Sequence, residues 1–334
     1  MNRAELLAKI QKATIETGAG GQLNPKQDKA FIQRVMEVSA FGKAINLVRP
    51  GPEPKGEFTK MGNSPRLIRR HNENTDTGYR AGITTDDIEY DAKTVHLPFE
   101  ITENFFHTNL EGEAVEPKIV DRMARQFALD LDDLNWIGDE EDSDDFVSLD
   151  DGILKICETS SDVHRVDAQG LTSGGAMDKE VWFALKYAMP DIYVNSGRLR
   201  WFMSPNRWTS WIEYLTDRET AAGDAALMAK DLFPLGIPPF VGAASDDSAP
   251  MPGVPFMPDD RIILADPKNF DRVITWDTQR YRVTGATDWE LAMRRKRGYV
   301  TFLTADLIIE EEAAVADLHG LDPITIGAGS GSGF

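Results

Sequence analysis

Residues 113–139 read Glu113-Ala114-Val115-Glu116-Pro117-Lys118-Ile119-Val120-Asp121-Arg122-Met123-Ala124-Arg125-Gln126-Phe127-Ala128-Leu129-Asp130-Leu131-Asp132-Asp133-Leu134-Asn135-Trp136-Ile137-Gly138-Asp139. Val120, Met123, Phe127, Leu131 and Leu134 recur at helical spacing. They form one apolar stripe and predict a helix over 116–137, about six turns long. Pro117 suits a first turn, where its missing N–H is not needed, and Gly138 suits the stop. Just upstream, Val95, Leu97, Phe99 and Ile101 alternate with His96, Pro98 and Glu100, the period of a half-buried strand. Just downstream lies the acidic run Asp139–Asp145. A strand feeding one long helix is the most ordered unit in the chain.

Outward from that unit the pattern changes. Residues 3–13 and the stripe Ala30, Phe31, Val35, Val38 and Phe41 predict two helices separated by Gly18–Gly21. Pro50, Gly51, Pro52, Pro54 and Gly56 exclude regular structure there. Residues 57–93 are polar and weakly alternating, which predicts an extended two-stranded loop. Such an excursion is too long for an ordinary connection and implies a role. Its first part carries Lys55, Lys60, Arg66, Arg69, Arg70 and Arg80, and its return carries Asp86, Asp87, Glu89 and Asp91. Beyond the acidic run a compact mixed region begins at Gly152. Met177–Ala188 reads as a helix and Arg200–Met203 as a buried strand. Ser204 caps a further helix begun by Pro205. Asp224–Leu232 predicts a short helix. Ile237–Val241, Arg261–Ala265 and Arg272–Trp276 predict strands, and Gln279–Thr284, Leu291–Arg295 and Tyr299–Ile309 are extended. Thr325–Phe334 is a glycine–serine tail. The first and last strands are expected to share a sheet with the long helix on it, and the middle region to be inserted between them.

The chain has 334 residues, room for one large or two ordinary domains. Its 36 basic and 55 acidic residues give a net charge of −19, which argues against wrapping nucleic acid over the whole surface. One cysteine, Cys157, excludes a disulfide framework or a thiolate metal cluster within the chain. Met1–Lys12 carries Arg3, Glu5, Lys9 and Lys12 with no apolar run, unlike a secretory signal. No stretch approaches the roughly 18 to 20 apolar residues that span a bilayer.

No catalytic constellation emerges. The glycines at 18–21 lack the lysine of a phosphate loop, and no Gly-x-Ser-x-Gly elbow occurs. His71, His96, His107, His164 and His319 are dispersed; His96 and His107 flank one strand, where hydrogen-bonded or exposed roles outweigh a metal site. The run Asp139–Asp145 offers oxygens to divalent cations but lacks the EF-hand order, so a solvated loop is expected. Trp201, Trp208 and Trp211, with Arg200 and Arg207, have base-stacking chemistry, yet their spacing suits core aromatics better. No catalytic, metal or cofactor-binding residue is assigned.

The order of segments resembles the major capsid proteins of tailed bacteriophages, the Hong Kong ninety-seven phage fold shared with encapsulin shells. The similarity rests on an amino-terminal arm and a long extended loop. It rests also on strand Thr94–Asn104 leading through Glu111–Glu116 into a helix closing in Asn135-Trp136-Ile137-Gly138-Asp139. The turn Asp151-Gly152-Ile153-Leu154, the stretch Ile262–Ile274 and the closing Arg294-Arg295-Lys296-Arg297-Gly298-Tyr299-Val300 complete it. It covers residues 30 to 316. The resemblance implies an α+β fold with an arm (1–51) and an extended loop (52–93). It implies a peripheral domain (94–151 and 282–320) carrying the spine helix 116–137, an axial domain (152–281) and a flexible tail (321–334). It also implies hexamers and pentamers closing an icosahedral shell around double-stranded DNA, assembled in the host bacterial cytoplasm. A separate scaffolding protein, a portal and decoration proteins would be its partners. Residues 111–151 hold 15 acidic and 3 basic residues, so Lys60, Arg66, Arg69 and Arg70 of the loop are expected to meet Asp139, Glu140 and Glu141 of a neighbour. Residues 1–50 hold 8 basic and 4 acidic residues, enough for non-specific DNA contact. An encapsulin-like nanocompartment, an α/β ligand-binding protein centred on 177–276, and a tail or decoration component are the alternatives.

Overall fold

The structure, a computed structural model, describes residues 40–63, 68, 80, 83–108, 115–216, 233–241, 252–283, 293 and 295–324. The helices expected over 3–13 and 224–232, most of the helix ending at Phe41, and residues 325–334 of the tail lie outside them; Leu321, placed in the tail, is buried and its N–H donates to the Asp260 carbonyl at 3.1 Å.

The chain enters through α1 (Ala40–Ala44) and β1 (Asn46–Val48). Then β2 (Lys55–Asn63) and β3 (Ile83–Asp91) pair antiparallel as a ribbon of their own. Next come β4 (Lys93–Thr102), α2 (Glu103–Thr108) and the long α3 (Val115–Ile137). The middle region holds α4 (Ile153–Thr159), β5 (His164–Asp167), α5 (Lys179–Ala188), α6 (Asp191–Val194), β6 (Arg200–Met203), α7 (Pro205–Thr216) and β7 (Ile262–Ala265). Closing the chain are β8 (Phe270–Val283), β9 (Lys296–Ile309) and β10 (Ala316–His319).

Two four-stranded sheets result. The first has the order β1-β8-β9-β4 and the second β5-β10-β7-β6. β4 is an edge strand, which is where Pro98 in mid-strand costs no ladder hydrogen bond. Its odd residues turn inward, as the alternation predicts. Helix α3 lies on this sheet: Phe127 and Leu131 pack with Ile274, Leu303, Val95 and Leu97. The helix approaches closely because Ala124 and Ala128, both essentially inaccessible, face the strands. Buried Arg272 on β8 pairs with Asp132 of α3 at 3.5 Å, an ion pair between sheet and helix. Burial holds the Arg272 guanidinium below its ordinary value, against the carboxylate of Asp132.

Strand β7 is buried on both faces. Ile262 and Leu264 meet Trp182, Trp201 and Trp211 beneath α5 and α7. Ile263 faces a second core with Phe41, Trp136, Phe202, Phe270 and Leu307, where the end of α3 and both sheets converge. Trp201 and Trp211 are therefore core aromatics. Arg207 is buried and donates to the carbonyls of Asp259 and Asp322 at 2.6 and 2.7 Å. Ser204 caps α7 as expected, its hydroxyl accepting from the Arg207 N–H at 3.0 Å.

Two readings change. The two strands expected at 272–276 and 279–284 are one strand, β8, with register shifts between Ile274, Trp276 and Gln279, so the apparent gap is a bulge. Ile237–Val241 makes isolated bridges to Trp201 and Pro252 and no full strand, because Pro238 and Pro239 have no N–H to give a ladder. The chain rejoins the first sheet at Phe270 and leaves it for the second at Ala316.

Candidate assembly surfaces

The β2–β3 ribbon carries little apolar surface, and its register is set largely by charge. Lys55 faces Asp91 and bonds it at 2.6 Å; Thr59 faces Asp87 and donates to it at 2.9 Å; Lys60 lies opposite Asp86. Cross-strand pairs of opposite charge stabilise a two-stranded ribbon modestly, whereas Glu57 opposite Glu89 opposes it. At the root, the Ala92 N–H donates to the Pro54 carbonyl at 2.8 Å, and Phe58 and Tyr90 pack with Val48, Val273 and Ile308. An open cleft of about 960 Å³ runs between Pro50-Gly51-Pro52 and this root, floored by Asp91 and Asp306.

The end of α3 forms the acidic corner. Gly138 is needed there for close approach: a Cβ would lie 2.2 Å from the Asp150 carbonyl and 2.7 Å from that of Leu134. The Gly152 N–H instead donates to the Gly138 carbonyl at 2.9 Å. The acidic run folds back on itself, with Asp144 accepting from the N–H groups of Phe146 and Val147 at 2.8 and 3.2 Å. Lys155 reaches both Asp139 and Glu141 at 2.9 Å, and Lys93 reaches Glu140 at 3.1 Å and Asp91 at 2.8 Å. The Lys155 ammonium holds the Asp139 carboxyl below its ordinary range, with help from the Glu141 N–H. Hydrogen bonds to Asp91 and Glu140 push the Lys93 ammonium up.

Behind the corner sit two carboxylates that sequence reasoning did not single out. Burial, and then the charge of Asp306, push Asp150 up to about 8. Burial likewise raises Asp306, although its Oδ2 accepts from the Asp91 N–H at 2.8 Å. The only sequence signal is an aspartate inside the β9 run.

Of the residues expected to meet a neighbour, Asp139, Glu140 and Glu141 lie together at the corner, each paired within its own chain. Lys60 also has partners in its own chain: its ammonium pairs with Glu311 and donates to the Glu310 carbonyl at 3.0 Å. Arg66, Arg69 and Arg70 lie outside the described residues. His96 is exposed, its ring stacked on Phe302 at 5.9 Å. No helix among the described residues is long and apolar enough to cross a membrane.

No protein-family model matches the sequence. The chain is 24% identical over 331 residues to the putative prophage capsid protein YqbE of Bacillus subtilis (strain 168), covering 95% of this chain and 98% of that one. Among solved structures it is similar to a chain of the satellite phage P4 procapsid that includes the size determination (Sid) protein. That match has a TM-score of 0.66 and 16% identity over 96% of this chain and 98% of the other. A capsid chain of a native GTA particle matches with a TM-score of 0.55 and 14% identity over 85% and 90%. A chain of Mycobacterium phage Adephagia matches with a TM-score of 0.53 and 12% identity over 86% and 91%.

Proposed function

We propose that this chain, which has the α+β fold of tailed-phage major capsid proteins, is the repeating subunit of an icosahedral phage shell. The supporting observation is end-to-end correspondence: the P4 procapsid chain is matched over 98% of its length and 96% of this one. The likeness to a prophage capsid protein spans nearly the same length. On this reading the role is structural and its place is the virion shell.

The first sheet with α3 is then the peripheral domain and the second sheet with its helices the axial domain. The β2–β3 ribbon is the loop that lies over a neighbour. A two-stranded ribbon is marginal in water by itself and gains order by packing on another surface. Copies associate as hexamers and pentamers, guided by a separate scaffolding protein and joined by a portal and decoration proteins. The shell forms in the host cytoplasm and encloses double-stranded DNA, touched non-specifically by the mildly basic residues 1–50. Arg66, Arg69 and Arg70 meet the acidic corner at Asp139–Glu141 of the adjacent copy. Its in-chain lysine partners leave the corner net negative, and exposed pairs of this kind set register more than affinity.

Negative-stain microscopy of the purified chain, with and without a co-expressed scaffold, tests the reading. Closed shells are expected, and their loss in R69E/R70E. A compact monomer under every condition refutes the capsid reading. DNA-free shells filled with a cargo enzyme point to a nanocompartment. Wild-type shell yields from R69E/R70E refute the contact alone.

A further inference from the structure

We propose that Lys60 and Glu311 form a latch that ties the direction of the β2–β3 ribbon to the junction between the two sheets. Lys60 is the outermost residue of β2 whose side chain is described, and it is largely withdrawn from solvent. Its ammonium sits between the Glu311 carboxylate and the Glu310 carbonyl. The acceptor turn is held rigid from below. The Asn269 side chain donates to the Glu311 carbonyl at 2.8 Å and accepts from the Glu311 N–H at 2.9 Å. The Glu310 N–H adds a bond to the Asn269 carbonyl at 2.9 Å. Tyr193, from the short α6 of the middle region, lines the same pocket as Lys60 and Glu311. The Glu311 carboxylate thereby joins the ribbon to the turn closing the first sheet, with the second sheet's helical cover alongside.

Among the described side chains of the ribbon, no other makes a comparable contact this far from its root. Phe58 and Tyr90 anchor the base, and Lys55 and Thr59 bond only across the ribbon itself. With the latch closed, the ribbon follows the junction as one body. With it open, the ribbon pivots on its apolar base. A pocket of about 360 Å³ beside the latch, lined by Ile192, Tyr193, Arg198 and Lys268, gives the Lys60 side chain space to swing. The latch is a property of the single subunit; only its consequence, a preset reach toward a neighbour, rests on the capsid reading.

Hydrogen exchange on the unassembled full-length chain tests it. Peptides spanning 55–63 and 83–91 report the ribbon, and peptides over 296–309 report the first sheet. In K60M and in E311A, exchange in the ribbon is expected to rise about three- to five-fold, the worth of a partly exposed ion pair, with 296–309 unchanged. The swap K60E/E311K is expected to return exchange toward wild type. Unchanged ribbon exchange in both single variants overturns the latch. Equal acceleration over all three peptides also overturns it, because Lys60 would then be a general stability contact. So does a swap no better than the single variants. Shell formation by the same wild-type protein is scored separately, so the latch can fail while the capsid reading stands, and the reverse.

Discussion

Asp150→Asn is expected to stabilise the subunit at high pH and not at low pH. Asp150 stands in extended conformation at the exit of the turn Val147–Leu149, facing Asp306 behind the acidic corner. In an unfolded chain its carboxyl titrates near 3.9. In the fold, burial first and the Asp306 charge second raise it to about 8, against the opposing pull of the Asp151 N–H and Lys93. Below about pH 4 both states hold the proton, and the group adds no pH dependence. Between there and pH 8 the unfolded chain is ionised while the folded chain keeps its proton, so stability falls as pH rises. Above pH 8 the loss is complete. Four units correspond to a ceiling of about 5 to 6 kcal/mol. Water access and relaxation beside a site with an effective dielectric near 20 reduce this to about 2 to 3 kcal/mol. Asparagine is nearly isosteric, does not titrate, and its carbonyl still accepts from the Asp151 N–H. Urea unfolding of unassembled subunits, followed by tryptophan fluorescence from pH 4 to pH 9, measures the difference. D150N is expected to gain about 2 to 3 kcal/mol over wild type at pH 9 and nothing at pH 4. A difference that stays constant across the range refutes the argument, since it would mean that Asp150 is ionised in the fold throughout.

Two further perturbations address the helix α3. Asp132→Ala leaves the buried Arg272 guanidinium without its carboxylate; a loss of about 3 to 5 kcal/mol in chemical denaturation is expected. Gly138→Ala places a Cβ against the Asp150 and Leu134 carbonyls; it should cost about 1 to 3 kcal/mol and lower the thermal midpoint, while Ala at exposed Arg122 should leave it unchanged.

The long helix was legible because one face of it meets a sheet, which imposes a strong apolar period. Its tightest contacts were not: Ala124 and Ala128 carry little hydropathy, yet their small size brings helix and sheet together. Strands β6 and β7 were readable as apolar runs. Strand β10, Ala316-Asp317-Leu318-His319, was not, because its fully buried Asp317 looks like a loop residue until Arg165 and Arg261 are placed beside it, at 3.5 and 3.8 Å. Among the residues expected to meet a neighbour, sequence charge located the acidic corner. It gave no sign that Lys60 pairs with Glu311, a partner 251 positions away. Contacts of that span depend on topology, and topology here includes a chain that changes sheets twice after Ala265.

The placement of β10 bears on how the protein is made. It lies between β5 and β7, inside the second sheet, although it is the last strand of the described chain. A nascent polypeptide therefore has β5 and β7 with open edges until residues 316–319 emerge. Loop closure over so long a span makes that step slow. The second sheet is finished only when its latest-made described strand takes the central place between two strands made long before it.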